Sequence, residues 1–411
     1  MEKRKTPRIR FKGFSDDWEQ RKLGDIVTRV VRKNENLESK LPLTISAQFG
    51  LIAQDEFFDK RIASKNISHY YLIRKGEFAY NKSTSMDAPW GAIKRLEHYD
   101  NGVLSTLYIM FRILDENKVN SDYIVSYYVT NLWHKGVREV AAEGARNHGL
   151  LNIAPVDFFE TTLTIPSNEN EQKNIGEYFR RLDRLITLHQ RKLEKLKIIK
   201  KSMLENCFPK NGEKVPQIRF SGFTNDWEQR KVGELLIERN EQAPMSIEYP
   251  LMAFIANEGV APKGERYDRS SLVTDTENKL YKRTEFGDFI YSSNNLETGS
   301  IGLNKYGKAC ISSVYSIFQP TGIADSDFLG RRLVRKDFIN TMVKWRQGVI
   351  YGQWRIHESD FLKIEIPVPS LKEQRKIGIY LEGLDNLITL HQSKLEKLQK
   401  IKKALLERMF V

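Results

Sequence analysis

The fold is decided by residues 171–208, EQKNIGEYFRRLDRLITLHQRKLEKLKIIKKSMLENCF, which recur at residues 373–410 as EQRKIGIYLEGLDNLITLHQSKLEKLQKIKKALLERMF. Apolar residues follow one another at alternating spacings of four and three through five heptads of each copy. This is the pattern of a coiled-coil seam. Each copy therefore predicts one helix, about 57 Å long at ~1.5 Å per residue.

The seam of each predicted helix holds one histidine among aliphatic residues. A helix with a single apolar stripe must bury it against a partner, and its own duplicate offers a matching stripe. We expect the two helices to pair antiparallel about a pseudo-twofold axis, with the two histidines facing each other and fixing the register. The seam residues seven apart are Ile175, Leu182, His189 and Leu196 in the first helix and Ile377, Leu384, His391 and Leu398 in the second.

A second repeat extends the duplication towards the start of the chain. Residues 7–26, PRIRFKGFSDDWEQRKLGDI, recur at residues 216–235 as PQIRFSGFTNDWEQRKVGEL. The chain is thus two copies of one unit of roughly 200 residues. Short segments between these repeats, rich in β-branched and aromatic residues, also recur and predict strands. We expect the aromatic residues of the repeated segments to be core or helix-docking residues: Phe14, Trp18, Phe223 and Trp227.

The predicted fold class is α+β, with two α/β domains separated by two long antiparallel coiled-coil helices and an internal pseudo-twofold duplication. The predicted boundaries are 1–170 for the first domain with its N-terminal segment, 171–208 for the first helix, 209–217 for a linker, 218–370 for the second domain and 371–411 for the second helix.

Composition points to an acidic partner. The 411 residues carry a net charge of +13 with a pI of about 9.4, which makes nucleic acid the first candidate. The two cysteines, Cys207 and Cys310, offer neither a disulfide framework nor a metal spacing. The charged N-terminal segment lacks the apolar region of a signal peptide, and no run approaches the ~18 apolar residues of a membrane span. We therefore expect a cytoplasmic protein.

Motifs that would carry catalysis are missing from the sequence. It contains no GxxxxGK[ST] phosphate loop, no GxGxxG turn and no HExxH zinc helix. An amino-methyltransferase would need an Asn/Asp-Pro-Pro-aromatic turn, and the chain has no Pro-Pro pair. The seven histidines are scattered without metal-ligand spacing. We predict that the chain has no catalytic residues and binds no metal or cofactor itself.

Polar loops differ between the two copies although the strands beside them are shared. Divergent loops on a shared scaffold are where binding specificity usually lies; neutral drift of surface loops is the alternative interpretation. Base edges are recognised by Arg or Lys, Asn or Gln, and Ser or Thr. The candidates are Asn81, Lys82, Ser83, Thr84, Ser85, Arg146, Asn147 and His148 in the first domain and Ser292, Ser293, Asn294, Asn295, Lys305, Arg346, Gln347, Tyr351, Gln353 and Arg355 in the second.

Over essentially its whole length the chain resembles the specificity subunit of type I restriction–modification systems. The resemblance rests on PxIRFxGFxxDWEQRKxGx at 7–25 and 216–234 and on EQxxI…LDxLITLHQxKLEKLxxIKK in both predicted helices. One departure is the entry to the first helix, where Ile165-Pro166-Ser167 lacks the second proline of Pro367-Val368-Pro369.

The resemblance implies a non-catalytic subunit of an endonuclease and adenine methyltransferase complex. It implies that the chain bridges two modification subunits, which bring S-adenosylmethionine, and that restriction subunits add ATP- and Mg-dependent translocation and cleavage. The domain at about 18–165 would recognise one half of a double-stranded DNA target and the domain at about 227–367 the other. Since the loops differ, the target would be asymmetric.

Two alternatives stay open at this point. The chain could be the recognition subunit of a related bifunctional restriction–methylation enzyme, which shares this layout, or a coiled-coil adaptor that binds proteins rather than DNA. Both predicted helices also carry more basic than acidic residues. Their basic faces could contact DNA phosphates or acidic partner subunits, or could simply be solvated.

Overall fold

The computed structural model describes residues 6–46, 49–58, 63–64, 66–86, 88–141, 151–210, 212–262, 279–350 and 353–411. The chain divides into two compact units, Met1–Gln190 with Ser393–Val411, and Arg191–Gln392. The predicted fold class is confirmed, since both units are mixed α/β and two long helices follow the mixed segments. The compact units are cut in the middle of each long helix, whereas the sequence-based boundaries follow the helix ends and stay a prediction.

The first unit begins with short strands and turns of helix. Its elements are β1 Glu19–Lys22, α1 Leu23–Ile26, β2 Val27–Val30, β3 Leu43–Ser46, β4 Gly50–Ala53, α2 Gln54–Phe57, β5 Tyr71–Arg74, β6 Phe78–Asn81, β7 Ala92–Arg95, β8 Asn101–Leu104, β9 Ile109–Ile113, α3 Ser121–Tyr127, α4 Trp133–Val140, α5 Pro155–Phe159, β10 Thr162–Ile165 and the start of α6 Glu169–Asn206. The central sheet is antiparallel in the order β2-β9-β6-β7, and β1 pairs with β10, β3 with β4 and β5 with β8.

The second unit repeats this plan. Its elements are β11 Glu228–Lys231, α7 Val232–Leu235, β12 Leu236–Glu238, β13 Gln242–Ala243, β14 Ala253–Ile255, β15 Gly259–Ala261, β16 Tyr281–Thr284, β17 Phe289–Tyr291, β18 Ile301–Leu303, β19 Ala309–Ile311, β20 Ser316–Pro320, α8 Ser326–Leu333, α9 Lys336–Lys344, β21 Gln347–Ile350, β22 Gln353–Arg355, α10 Glu358–Phe361, β23 Glu365–Val368 and the start of α11 Leu371–Met409. The central sheet is ordered β12-β20-β17-β18, and β11 pairs with β23.

Aromatic side chains fill the centre of each sheet. Phe78 of β6 stacks on Phe111 of β9 with 5.2 Å between ring centroids, and Tyr291 of β17 stacks on Phe318 of β20 at 5.7 Å. All four side chains are at most 1% exposed. Burial of one such side chain stabilises the folded state by roughly 1.5–3 kcal/mol, so these short strands are held by packing rather than by their length.

The long helices bury the stripe on which the sequence argument rested. Ile175 and Leu182 of α6 are 2% and 7% exposed, and Ile377 and Leu384 of α11 are 3% and 7% exposed. His391 is buried and His189 half-buried. Because His189 belongs to the first unit and His391 to the second, their mutual contact stays a prediction.

Inside each unit the two helices run antiparallel. In the first unit Asp183 of α6 pairs with Lys402 of α11 at 2.5 Å. In the second unit Lys200 of α6 pairs with Asp385 of α11, also at 2.5 Å. The early part of one helix therefore lies against the late part of the other in both units, as a duplicated pair requires.

Candidate nucleic-acid interface

An ion pair joins the two repeated motifs within each unit. Arg10, in the first IRF sequence, contacts Glu171 at the start of α6 through Nε and Nη2 at 2.6 and 2.7 Å. Arg219, in the second IRF sequence, contacts Glu373 at 2.7 and 2.8 Å. Hydrogen bonding to the carboxylate raises the pKa of each guanidinium. The same charge-assisted hydrogen bonds occur in both copies. This indicates that the two repeated motifs have a structural role.

The glutamine after each of these glutamates is also structural. Gln172 accepts a hydrogen bond from the backbone N–H of Asn120 at 2.9 Å and donates to the Pro166 carbonyl oxygen at 2.9 Å. Gln374 does the same with Asp325 and Pro369. Each buried side-chain amide thereby holds the N-cap residue of α3 or α8 close to the start of a long helix.

Aromatic residues of the repeated segments close each unit onto the end of a long helix. Trp18 packs against Phe410 at 6.3 Å between ring centroids, and Trp227 packs against Phe208 at 6.3 Å. Both tryptophans are 2% exposed, which confirms that they are core residues. Phe14 and Phe223 are half-buried. The repeated tryptophans thus hold the scaffold of each unit together.

In the first unit the structure brings the flanks of the two predicted loops together. The backbone carbonyl oxygen of Lys82, just after β6, accepts a hydrogen bond from the Leu151 N–H at 3.0 Å. The Lys82 ammonium donates to the Ile153 carbonyl oxygen at 3.3 Å. Burial lowers the pKa of Lys82. Its side chain therefore ties the loops to each other instead of extending towards a ligand.

The loop after β6 is shaped by local hydrogen bonds. The side-chain carbonyl oxygen of Asn81 accepts from the Ser83 N–H at 3.0 Å. Gly91 closes the loop with φ of +78°, where an added Cβ would lie 2.1 Å from the Asn81 carbonyl oxygen. Ser83 and Ser85 are exposed and Thr84 is half-buried. The second set of candidates in this domain, Arg146, Asn147 and His148, lies outside the described residues.

The second unit shows the same meeting of loops with different chemistry. Ser293, after β17, accepts a hydrogen bond from the Ile356 N–H at 3.1 Å. The Tyr291 hydroxyl donates to the Ile356 carbonyl oxygen at 3.4 Å. Ser292 and Asn295 accept from the backbone N–H groups of Asn295 and Ser300 at 3.2 and 2.9 Å, which orders the loop before any ligand binds.

The candidates of the second unit differ in how far they are accessible. Asn294, Asn295 and Arg355 are exposed, so they can reach a groove of DNA. The Arg346 side chain is 10% exposed and pairs with Glu297 at 3.0 Å, which links the second loop to the first. Gln347 and Gln353 lie in β21 and β22; Tyr351 is outside the described residues.

Lys305 is not brought to this cluster. It follows β18, which runs antiparallel to β17. The loop after β18 therefore lies at the end of the sheet opposite to the loop after β17. Its ammonium pairs with Asp327 of α8 at 2.9 Å. The loop after β18 therefore contributes to the scaffold side of the second unit.

Two apolar residues beside the loops were not predicted. Leu107 and Val314 lie in the turns before β9 and β20 and are 56% and 65% exposed. Because β9 pairs with β6 and β20 with β17, these turns lie at the same end of each sheet as the polar loops. The signal was present in the sequence. Residues 105–108, STLY, and residues 312–315, SSVY, belong to the recurring segments between the repeats, which were predicted wholly as strands.

The described residues were compared with the requirements of a metal site and of a reactive thiol. No cluster of three or more His, Cys, Asp or Glu side chains that could hold a metal occurs among them. Cys207 and Cys310 are both buried, and burial raises the pKa of each thiol, that of Cys207 to about 11. No helix in the described ranges is long and apolar enough to cross a membrane.

A duplicated scaffold with an ordered polar loop pair in each copy is typical of a protein that binds its ligand at two equivalent places, and polar side chains on such loops suit base edges of DNA. Residues 210–400 match the family model of the type I restriction modification DNA specificity domain. The matched residues carry a DNA specificity domain, and the function that the comparisons support is recognition of a DNA target.

Known proteins resemble the chain over nearly its full length. It is 23% identical over 410 residues, 95% of this chain and 92% of the relative, to the putative type I restriction enzyme MjaX specificity subunit of Methanocaldococcus jannaschii. It is 23% identical over 424 residues, covering 95% and 91%, to the MjaVIII specificity subunit of the same organism. A type I S subunit from M. genitalium shares the fold, with a TM-score of 0.58, 15% identity and 99% of each chain covered.

Proposed function

We propose that the chain recognises a bipartite, asymmetric DNA sequence, one half with each unit, and that it has no catalytic centre. The observation that carries this is the pair of loop clusters at equivalent positions with different side chains, Asn81 to Ser85 in one unit and Ser292 to Asn295 in the other. A shared scaffold with different donors and acceptors recognises different base edges.

The chain would act inside a larger assembly. By the resemblance to type I systems, modification subunits bring S-adenosylmethionine and restriction subunits bring ATP and Mg, while this chain supplies the target. The basic faces of α6 and α11 fit either spacer phosphates or acidic surfaces of those partners. The proposed role also places the protein in the cytoplasm, where the assembly would meet the cell's DNA.

Arg355→Ala is expected to relax specificity at one position of the target. Arg355 is the exposed arginine beside the Ser293–Ile356 contact, and loss of a base-contacting arginine costs on the order of 1–3 kcal/mol of discrimination. The measurement is the binding affinity for a set of duplexes with single-base changes, in the presence of the modification subunits.

Lys305→Ala is the matched control for this substitution. It removes one positive charge from the same unit, but from an ion pair with Asp327 away from the loops. A uniform loss of affinity in Arg355→Ala, with a shallower salt dependence, would assign Arg355 to phosphate contact. Equal effects of both substitutions on DNA affinity would show that the loop cluster is not part of the recognition surface.

The purified chain alone is expected neither to methylate nor to cleave DNA. The expectation rests on the absence of catalytic sequence motifs. The measurement is transfer of labelled methyl groups from S-adenosylmethionine, together with nicking of plasmid DNA. Methyl transfer that survives removal of contaminating methyltransferases would contradict the proposal.

A further inference from the structure

The first unit contains an open cavity of about 690 Å³ between the α3–α4 connection and the two long helices. The connection contributes two apolar residues, Val129 and Leu132, which are 40% and 41% exposed. The residues that matter for its chemistry are Thr130 from the connection, Asp183 from α6, and Leu406 and Phe410 from the end of α11.

In the second unit an arginine occupies the equivalent place. Arg335 and Thr130 each lie ten residues after the residue that caps the preceding helix, Asp325 and Asn120. The Arg335 guanidinium lies 5.2 Å from the centroid of the Phe208 ring. It also donates a hydrogen bond from Nη1 to the carbonyl oxygen of Leu204.

The groups that hold Arg335 have counterparts in the first unit. Leu406 and Phe410 stand 202 residues after Leu204 and Phe208, at the same positions of the repeated helix. Both line the cavity. The carbonyl group and the aromatic ring are therefore retained, while threonine replaces the arginine.

The acidic neighbours differ between the two places. Asp337, which accepts from Arg335 Nε at 3.2 Å, corresponds to Leu132 in the first unit. Asp183 pairs with Lys402 at 2.5 Å and also interacts electrostatically with Lys94. Because Asp183 is already paired with lysine, the part of the cavity that corresponds to the place of Arg335 is the one lined by Leu406 and Phe410.

A cation is favoured at that place. Leu406 belongs to the last turn of α11, where the helix dipole attracts positive charge. A guanidinium can lie flat on an aromatic ring while it donates in its plane to a carbonyl oxygen. A lysine ammonium is a compact, strongly hydrated point charge without a planar face, so it fits this pair of contacts less well.

We propose that this cavity binds an arginine side chain of a protein partner. One arginine fills only part of about 690 Å³, and apolar side chains next to it in the partner segment would cover Val129 and Leu132. None of the lining residues belongs to the polar loop clusters, so this docking site for a protein is separate from the loops proposed to contact bases.

The test uses the full chain and two blocked tripeptides, acetyl-Leu-Arg-Leu-amide and acetyl-Leu-Lys-Leu-amide. Methyl NMR signals of Val129, Leu132 and Leu406 should shift saturably with the arginine peptide. Binding should be at least about tenfold weaker with the lysine peptide, since the planar, weakly hydrated guanidinium fits the ring and the carbonyl better. Equal shifts with both peptides, or none with either, would overturn the proposal.

Thr130→Arg is the first control variant. It should fill the cavity from within, as Arg335 does in the second unit, and abolish binding of the arginine peptide.

Blocked arginine amide without flanking leucines should bind more weakly than the tripeptide. If the amide binds as tightly, or if Thr130→Arg leaves binding unchanged, a docking site for a polypeptide is excluded.

Arg335→Thr is the reciprocal variant. It should open a second cavity beside Leu204 and Phe208 and create a second set of shifts with the arginine peptide. If the Arg335→Thr protein is folded, as judged by its circular dichroism, but gains no such shifts, the Leu204 carbonyl and the Phe208 ring are not sufficient to bind the arginine peptide. If that variant does not fold, the result with Thr130→Arg decides.

Discussion

Replacing residues 27–162 with the equivalent segment of a relative is expected to change one half of the recognised DNA sequence and to leave the other half unchanged. The two ends of this segment lie side by side. Lys22, the last residue of β1, pairs with Thr162 of β10, and the Leu23 N–H donates to the Thr161 carbonyl oxygen at 2.8 Å. The segment thus enters and leaves the scaffold at one place, so that exchange need not disturb the long helices.

The measurement is the set of methylated adenines, mapped by single-molecule sequencing in cells that also make the modification subunits. The matched exchange in the second unit is residues 236–364, which begin after α7 and end before β23. It should change the other half of the sequence. Methylation by each exchanged protein also shows that it has folded. A change in both halves after either exchange would show that the units do not recognise DNA independently.

Glu171→Ala is expected to have the largest effect on stability of any single substitution considered. The Glu171 side chain is fully buried and that of Arg10 is 13% exposed, so the variant leaves a guanidinium shielded from water without its partner. Breaking such a pair from one side costs about 3–5 kcal/mol. The measurement is the free energy of unfolding in urea, followed by circular dichroism.

Glu177→Ala provides the matched control on the same helix. Glu177 pairs with Arg181 at 3.1 Å, and the Arg181 side chain is 77% exposed, so its loss should cost less than about 1 kcal/mol. The double substitution Arg10→Met with Glu171→Leu should recover much of the stability, since it removes both charges. Equal stability losses in Glu171→Ala and Glu177→Ala would mean that the buried pair is not what holds the repeated motifs together.

The duplicated sequence predicted the architecture well because its signals are local and strong. Periodicity alone placed α6 and α11, and repetition alone indicated two units of one plan. The loops were placed from the same comparison, and the structure brings the flanks of both loops together through Lys82 in one unit and Ser293 in the other. Whether those loops contact bases stays a prediction.

Other features depend on which side chains meet, and residue type alone does not decide that. Lys82 and Arg346 resemble ligand-binding residues by type, yet they hold the loops together through Ile153 and Glu297. The Arg10–Glu171 pair could have been found, because both residues recur in the second copy as Arg219 and Glu373. The cavity beside Thr130 could not, since it arises where the two copies differ in a few residues, Thr130 and Leu132 against Arg335 and Asp337, among otherwise matched neighbours.

The packing of Phe410 against Trp18 bears on how the protein is made. Residues 393–411 belong to the first unit, yet they leave the ribosome only after the whole of the second unit, 191–392, has been synthesised. At ~5–20 residues per second, the early-made part waits about 10–40 s for the segment that covers its aromatic core. The second unit, although translated later, is therefore the first to have all of its residues.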